Sequence, residues 1–403
     1  MRGLTAAVHE VLDRRLLSAS PAPIAVALSG GGDSLALTLM VADWARARGR
    51  SLLVLTVDHG LRAESAAWTR SCAVTAHRLG ADFRALAWEG DKPAAGLPAA
   101  ARSARHRLIA DAARASGAKV VLMGHTASDR LEAAAMRQSG ASTPSPREWT
   151  PSPAWPQGRD VFLLRPMLSQ TRAEIRAWLA ERGETWIEDP ANEDPRFARA
   201  RARATLTGDE TDAVPLAPLL ADLALATVDL AGGLATPRAL LRAAPAAFLA
   251  AACLCAAGAS RPPRGDRLKR LSDVLRADSD VTATLAGARI EASERDVRFL
   301  RDPGRAGLEA LSLAAGQTAV WDGRFEITTD RPIAIQALAG HAAGLSPPSR
   351  SARLRLPAGA RGGLPFIPGA GSPVLASIPG VVARPLALDR LRAACGLIDR
   401  EPA

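Results

Sequence analysis

Cysteine is scarce in this chain. The four present, Cys72, Cys253, Cys255 and Cys395, form no CxxC pair and no His/Cys zinc pattern. That spacing gives no thiolate metal site and fits reduced thiols in a cytoplasm. Long apolar runs are also missing. No stretch of about 18 or more apolar residues occurs, so no membrane span is expected. The opening segment is broken by Glu10, Asp13, Arg14 and Arg15, so it lacks the apolar region of a signal peptide. Lysine is nearly absent. Only Lys92, Lys119 and Lys269 stand among the 51 basic residues, and tyrosine does not occur at all.

What is present is ordinary for a soluble globular protein, with 48% hydrophobic and 23% charged residues. A length of 403 residues suggests two or three domains, with cores large enough to need no disulfides. The net charge of +10 is carried almost wholly by arginine. Arginine forks hold phosphates in bidentate fashion, which favours a polyanionic partner. Abundant Ala and Arg with little Lys also reads as a GC-rich coding bias, so charge by itself does not decide for nucleic acid.

Short apolar runs and helical stretches alternate over the first two hundred residues. Ile24–Leu28, Leu52–Val57, Phe83–Leu86, Val120–Met123 and Val161–Leu164 suit strands buried on both faces of a parallel sheet. Helical spacing recurs over Leu35–Arg46, Glu64–Leu79, Ala99–Ala115 and Ala127–Arg137. This alternation predicts an open, doubly wound α/β domain. Thr171-Arg172-Ala173-Glu174 reads as a capping box ahead of a further helix, and Asp194-Pro195 as the start of another. Ser139–Gly158 reads as an inserted loop and Thr207–Pro218 as a linker. The expected division is a catalytic domain over 1–206, a helical domain over 207–300, and a small β-rich domain over 301–403 with a strand near Arg324–Thr328. Pro347–Arg350 and Ala358–Gly363 read as loops.

The sharpest motif is Ser29-Gly30-Gly31-Gly32-Asp33-Ser34, where a buried strand ends and a helix begins. Three glycines permit a tight turn that aims backbone N–H groups at an anion. The helix N-terminus and the hydroxyls of Ser29 and Ser34 add to that field. Asp33 would repel a bare phosphate, so a Mg²⁺ beside it reconciles the two. No lysine follows, so this is not the GxxxxGK[ST] loop, and it is not GxGxxG. Four more blocks follow in order. Val57-Asp58-His59-Gly60-Leu61-Arg62 lies past the second strand, where doubly wound folds bind ligands. Arg102 and Arg105 share one helix face, with His106 beside them. Gly124-His125-Thr126-Ala127-Ser128-Asp129-Arg130-Leu131-Glu132 follows the fourth strand. Trp186-Ile187-Glu188-Asp189-Pro190-Ala191-Asn192 leads to Arg199, Arg201 and Arg203. Read singly, these are compatible with caps and solvated basic helix faces.

Together the five blocks resemble the tRNA(Ile)-lysidine synthetase family of the N-type ATP pyrophosphatase (PP-loop) superfamily, over roughly residues 20–205. The resemblance implies an adenine nucleotide alpha hydrolase-like fold and a soluble, cytoplasmic enzyme. It implies ATP with Mg²⁺ as cofactors, and tRNA(Ile) with a CAU anticodon and free lysine as substrates. Lysine would be joined to C2 of the wobble cytidine through an adenylated tRNA. ATP contacts fall on Ser29, Gly30, Gly31, Gly32, Asp33, Ser34, Asp58 and His59. Metal falls to Asp33 and Asp129, and catalysis to Asp33, His125 and Asp129. Substrate or tRNA contacts fall to Arg62, Arg102, Arg105, Glu132, Asp189, Asn192, Arg199 and Arg203. Three departures from the family pattern stand out: His106 for Tyr, Ser128 for Asp and Arg130 for Gln. They keep in view another adenylating PP-loop enzyme, or a tRNA-binding homologue of impaired catalysis. The missing CxxC pairs speak against a 2-thiocytidine synthetase.

Overall fold

The computed structural model describes residues 2–139, 145–189, 226–229, 231–277, 279–370 and 378–403. The chain forms two compact units, Met1–Pro215 with Ile398–Ala403, and Leu216–Leu397.

The first unit is built on six strands: β1 (Ile24–Ala27), β2 (Leu52–Asp58), β3 (Asp82–Ala87), β4 (Val120–Met123), β5 (Trp149–Pro151) and β6 (Phe162–Leu164). Their order is β3-β2-β1-β4-β6-β5. All are parallel except β5, which runs antiparallel to β6 at the edge. Helices α1 (Arg2–Arg15), α2 (Gly32–Ala47), α3 (Ser65–Arg78), α4 (Leu97–Ala115), α5 (Ala127–Gln138) and α6 (Arg172–Ala180) complete the unit. The order reverses between β1 and β4, which places the topological switch point at their carboxyl ends.

The continuous apolar strands are explained by cover on both faces. On one face Val8 and Leu12 of α1 and Leu37, Val41 and Trp44 of α2 form a single core with Ile175 and Trp178 of α6. On the other, Ile109, Ala112 and Ala113 of α4 pack with Leu53, Leu55, Val121 and Leu163. The segment Ile398–Ala403 belongs to this unit. Its Glu401 accepts from Arg50 Nη2 at 2.8 Å and from Leu17 N at 2.8 Å, with the Arg50 and Glu401 side chains only 2% and 1% exposed.

The expected loop over 139–158 holds a strand instead. Trp149 stacks on Phe162 with ring centroids 5.0 Å apart, and this contact makes β5 an edge strand in which Pro151 is tolerated. In the second unit, helix gives way to sheet before residue 300. Helices span Arg238–Ala243, Ala246–Ala256 and Asp266–Arg276, then strands Val281–Leu285, Ala288–Ala292 and Asp296–Arg301 follow. The period-two burial of Ala288–Ala292 and a two-residue turn at Ala286 and Gly287 (φ 52° and 83°) explain the change. Those strands join Leu234–Pro237 and Thr227–Val228 in an antiparallel sheet, and two three-stranded antiparallel sheets lie further along the chain. The expected strand near 324–328 is observed at Phe325–Thr329. Pro347–Arg350 begins a helix, Pro347–Leu354, rather than a loop, because Ser346 caps it and Pro347 suits its first turn. Among the described residues no helix is long and apolar enough to cross a membrane.

Candidate active site at the carboxyl ends of the central strands

The chain leaves β1 at Ala27 and enters α2 at Gly32, so the loop between them opens at the switch point. Gly30 has φ +86°, a conformation that suits glycine, and a Cβ there would overlap Ile187 Cδ1. Ile187 N donates to Gly30 O at 2.9 Å. The Trp186 ring lies 3.4 Å from where a Cβ on Gly32 would sit. Trp186 and Ile187 therefore pack directly on the glycines. Ser34 Oγ accepts from Ser29 N at 3.1 Å and donates to Gly31 O at 2.9 Å. That hydroxyl shapes the loop from within.

Gly124 at the end of β4 holds the other side. A Cβ on it would lie 2.9 Å from Asp33 O, Ser34 Cα and Ser34 N. Only a residue without a side chain lets the first turn of α2 come this close to β4.

Three carboxylates meet beside the loop. Asp33 lies in the first turn of α2, and Asp129 and Glu132 lie on α5. Arg172, the first residue of α6, joins two of them: its Nε donates to Asp33 Oδ2 at 3.1 Å and its Nη1 to Glu132 Oε1 at 3.3 Å. Burial raises the Asp33 carboxyl above the usual aspartate range, against the pull of Arg172, and the Asp129 charge adds to the rise. Asp129 Oδ2 accepts from Thr126 N at 2.9 Å and Thr126 Oγ1 at 3.1 Å. The cap of α5 is thus a Thr126–Asp129 box and not the work of Ser128.

A group of basic side chains gathers in the same unit. The His59 ring meets Trp88 edge-on at 5.9 Å, and Lys92 Nζ sits 4.4 Å over the same indole. Burial, then Arg105, lowers the His59 pKa. His106 is 6% exposed and is pushed down to about 2 by burial, with the charges of Arg105, Arg102, Arg165 and His125 following. Arg105 thus acts on both histidines, so the end of β2 and helix α4 share one positive field. Asp58 Oδ1 accepts from Gly60 N at 2.8 Å and sets the turn after β2. Arg62 pairs with Asp189 at 3.5 Å.

The expected residues Ser29–Ser34, Asp58, His59, Arg62, Arg102, Arg105, His125, Asp129, Glu132 and Asp189 all lie in this unit. Asn192, Arg199 and Arg203 lie outside the described residues. Two residues went unassigned in the sequence. Arg172 stood in a recognised capping box, but its reach to Asp33 is a tertiary fact. Arg165 follows β6 directly, the same position that the blocks after β1, β2 and β4 hold. It is buried, donates to Arg147 O at 2.8 Å, and is lowered to about 10 by burial.

Among the described residues no group of three or more His, Cys, Asp or Glu is arranged to hold a metal ion. Mg²⁺ needs less, since it keeps most of its waters and takes one or two carboxylates plus phosphate oxygens. Asp33, beside Glu132 and already drawing a guanidinium, suits that role.

Fold and loop define a PP-loop ATP-binding protein, and the PP-loop domain family matches residues 4–210. The tRNA(Ile)-lysidine synthase of Caulobacter vibrioides is 47% identical to this chain, with 98% of each covered. Those of Hyphomonas neptunium and Brucella ovis are 36% and 33% identical, covering 67% and 75% of this chain and 79% and 73% of their own. The chain belongs to the tRNA(Ile)-lysidine synthase family.

Proposed function

We propose that this enzyme joins lysine to C2 of the wobble cytidine in the CAU anticodon of tRNA(Ile), with ATP, in the cytoplasm. The observation that carries the reading is the glycine loop at the switch point, with the Arg172-bridged carboxylates beside it. In the first step the cytidine C2 oxygen attacks the α-phosphate of ATP, and pyrophosphate leaves toward Gly30–Ser34. Backbone N–H groups and the N-terminus of α2 receive the negative charge. Mg²⁺ held by Asp33, with Asp129 close by, would neutralise charge on the departing phosphates. Asp58 and His59 flank the nucleotide.

In the second step the lysine ε-amine attacks C2 and AMP leaves. That amine is mostly protonated near neutral pH, since its ordinary pKa is about 10.4, so a base must receive its proton. Asp129 and His125 are the candidates. Glu132 and Asp189 hold substrate, as does Asn192. Arg62, Arg102, Arg105, Arg199 and Arg203 meet tRNA phosphates, and the segments 207–300 and 301–403 hold the tRNA body.

The test mixes the protein with ATP, Mg²⁺, radiolabelled lysine and a tRNA(Ile) transcript bearing CAU. Label on that tRNA, and none on a transcript with a changed wobble base, is the expected result. Pyrophosphate release without lysine transfer would keep the adenylation and overturn the amine donor.

A further inference from the structure

Arg172 hydrogen-bonds to both the loop acid Asp33 and the α5 acid Glu132, at 3.1 and 3.3 Å. Its side chain is 22% exposed, Asp33 is 21% exposed, and Glu132 only 1%. A carboxylate buried as deeply as Glu132 needs a compensating charge, and a guanidinium fork serves two carboxylates at once. Arg172 is also fixed from below. The Thr171–Glu174 capping box pins the first turn of α6, where Thr171 Oγ1 accepts from Glu174 N and Thr171 N donates to Glu174 Oε2 at 2.7 Å. The fork therefore rests on a rigid helix end, while Asp33 stands on the turn that opens toward the anion site.

We propose that Arg172 is a positioning residue, the resident counter-ion of the Asp33–Glu132 pair, which it holds in register before nucleotide arrives and from which it releases Asp33 when a metal–nucleotide complex binds. This rests on the reading of Asp33 as the metal-side acid of the loop. While the fork is engaged, its charge repels a free divalent cation, so the metal enters with its nucleotide rather than ahead of it. Once released from Asp33, Arg172 stays on Glu132 and keeps that acid aimed into the site.

The test uses the full chain and Mn²⁺ as the probe, without nucleotide, with free Mn²⁺ followed by electron paramagnetic resonance. Arg172→Gln should bind Mn²⁺ at least tenfold more tightly than the parent protein, and adding Asp33→Asn should remove the gain. Arg172→Lys keeps the charge but not the fork, so its Mn²⁺ affinity should match the parent. In turnover, Arg172→Gln should lose at least tenfold in kcat with no rise in KM for MgATP, and Arg172→Lys should lie between. A merely structural role would raise KM and would not tighten Mn²⁺ binding. Equal Mn²⁺ affinity in the folded Arg172→Gln protein would overturn the counter-ion role and leave the Asp33 reading intact. Full adenylation by Asp33→Asn alone would overturn both.

Discussion

Gly124→Ala isolates the geometry on which the site depends. A Cβ at this position would stand 2.9 Å from three backbone atoms of Asp33 and Ser34, against the 3.4–4 Å of ordinary contact. None of the three can rotate away, so the first turn of α2 must retreat from β4 by about 0.5 Å. Overpacking of this kind costs about 1–3 kcal/mol, which for a unit of this size lowers Tm by roughly 2–12 °C. The catalytic loss should be larger in proportion. Misplacement by about 1 Å costs on the order of 10²-fold, so pyrophosphate release should fall by roughly 10- to 100-fold. Gly49→Ala is the control. Gly49 has φ +64° with open space around it, so alanine there adds only strain of about 1–2 kcal/mol. The assay is tRNA-dependent pyrophosphate release well below either Tm. If Gly124→Ala turned over as fast as Gly49→Ala, the close approach of α2 to β4 would not be what sets the loop.

Arg50→Met should cost about 3–5 kcal/mol by stranding the buried Glu401, and Arg50→Met with Glu401→Leu should recover most of it in thermal melts. Asp33→Asn should abolish adenylation while leaving tRNA binding largely intact. Burial raises the Asp33 carboxyl, so its ionised form weakens the fold as pH rises through the folded pKa, and the Asn variant should melt no lower than the parent at pH 7. A lower Tm would show the Arg172 pair to be net stabilising. His106, pushed down to about 2, stays neutral in the fold while the unfolded chain takes up a proton below its ordinary pKa of 6.5. Stability should therefore fall as pH drops below 6.5, by about 2 kcal/mol at pH 5, and denaturant melts of His106→Phe should lack that share of the slope.

The parallel strands were legible because burial on both faces demands unbroken apolar runs, and Val120–Met123 matched to the residue. Three of the five motif blocks were legible by position as well as by residue, because they follow β1, β2 and β4. Long-range contact was not. Gly124 stands inside a motif, yet nothing local says that a helix backbone passes 2.9 Å from where its Cβ would sit. Arg172 is marked in the sequence only as part of a capping box, because its partners Asp33 and Glu132 lie 139 and 40 residues away along the chain. Helix α1 was legible only as a segment too broken to be a signal peptide, because its core partners lie on α2 and α6. In the second unit, Ala- and Leu-rich composition hid the alternation of Ala288–Ala292, since small residues give weak contrast between faces.

The return of Ile398–Ala403 to the first unit has a consequence for biosynthesis. The segment Leu216–Leu397 is made between the two parts of that unit. At about 5–20 residues per second, translation of that interval takes roughly 10–35 s. During that time Arg50 has its backbone acceptors at Leu17 and Ala22 but lacks its carboxylate partner. The first unit therefore emerges in two parts, so a chain broken off within the second unit leaves the buried Arg50 charge without Glu401 in the core of the first.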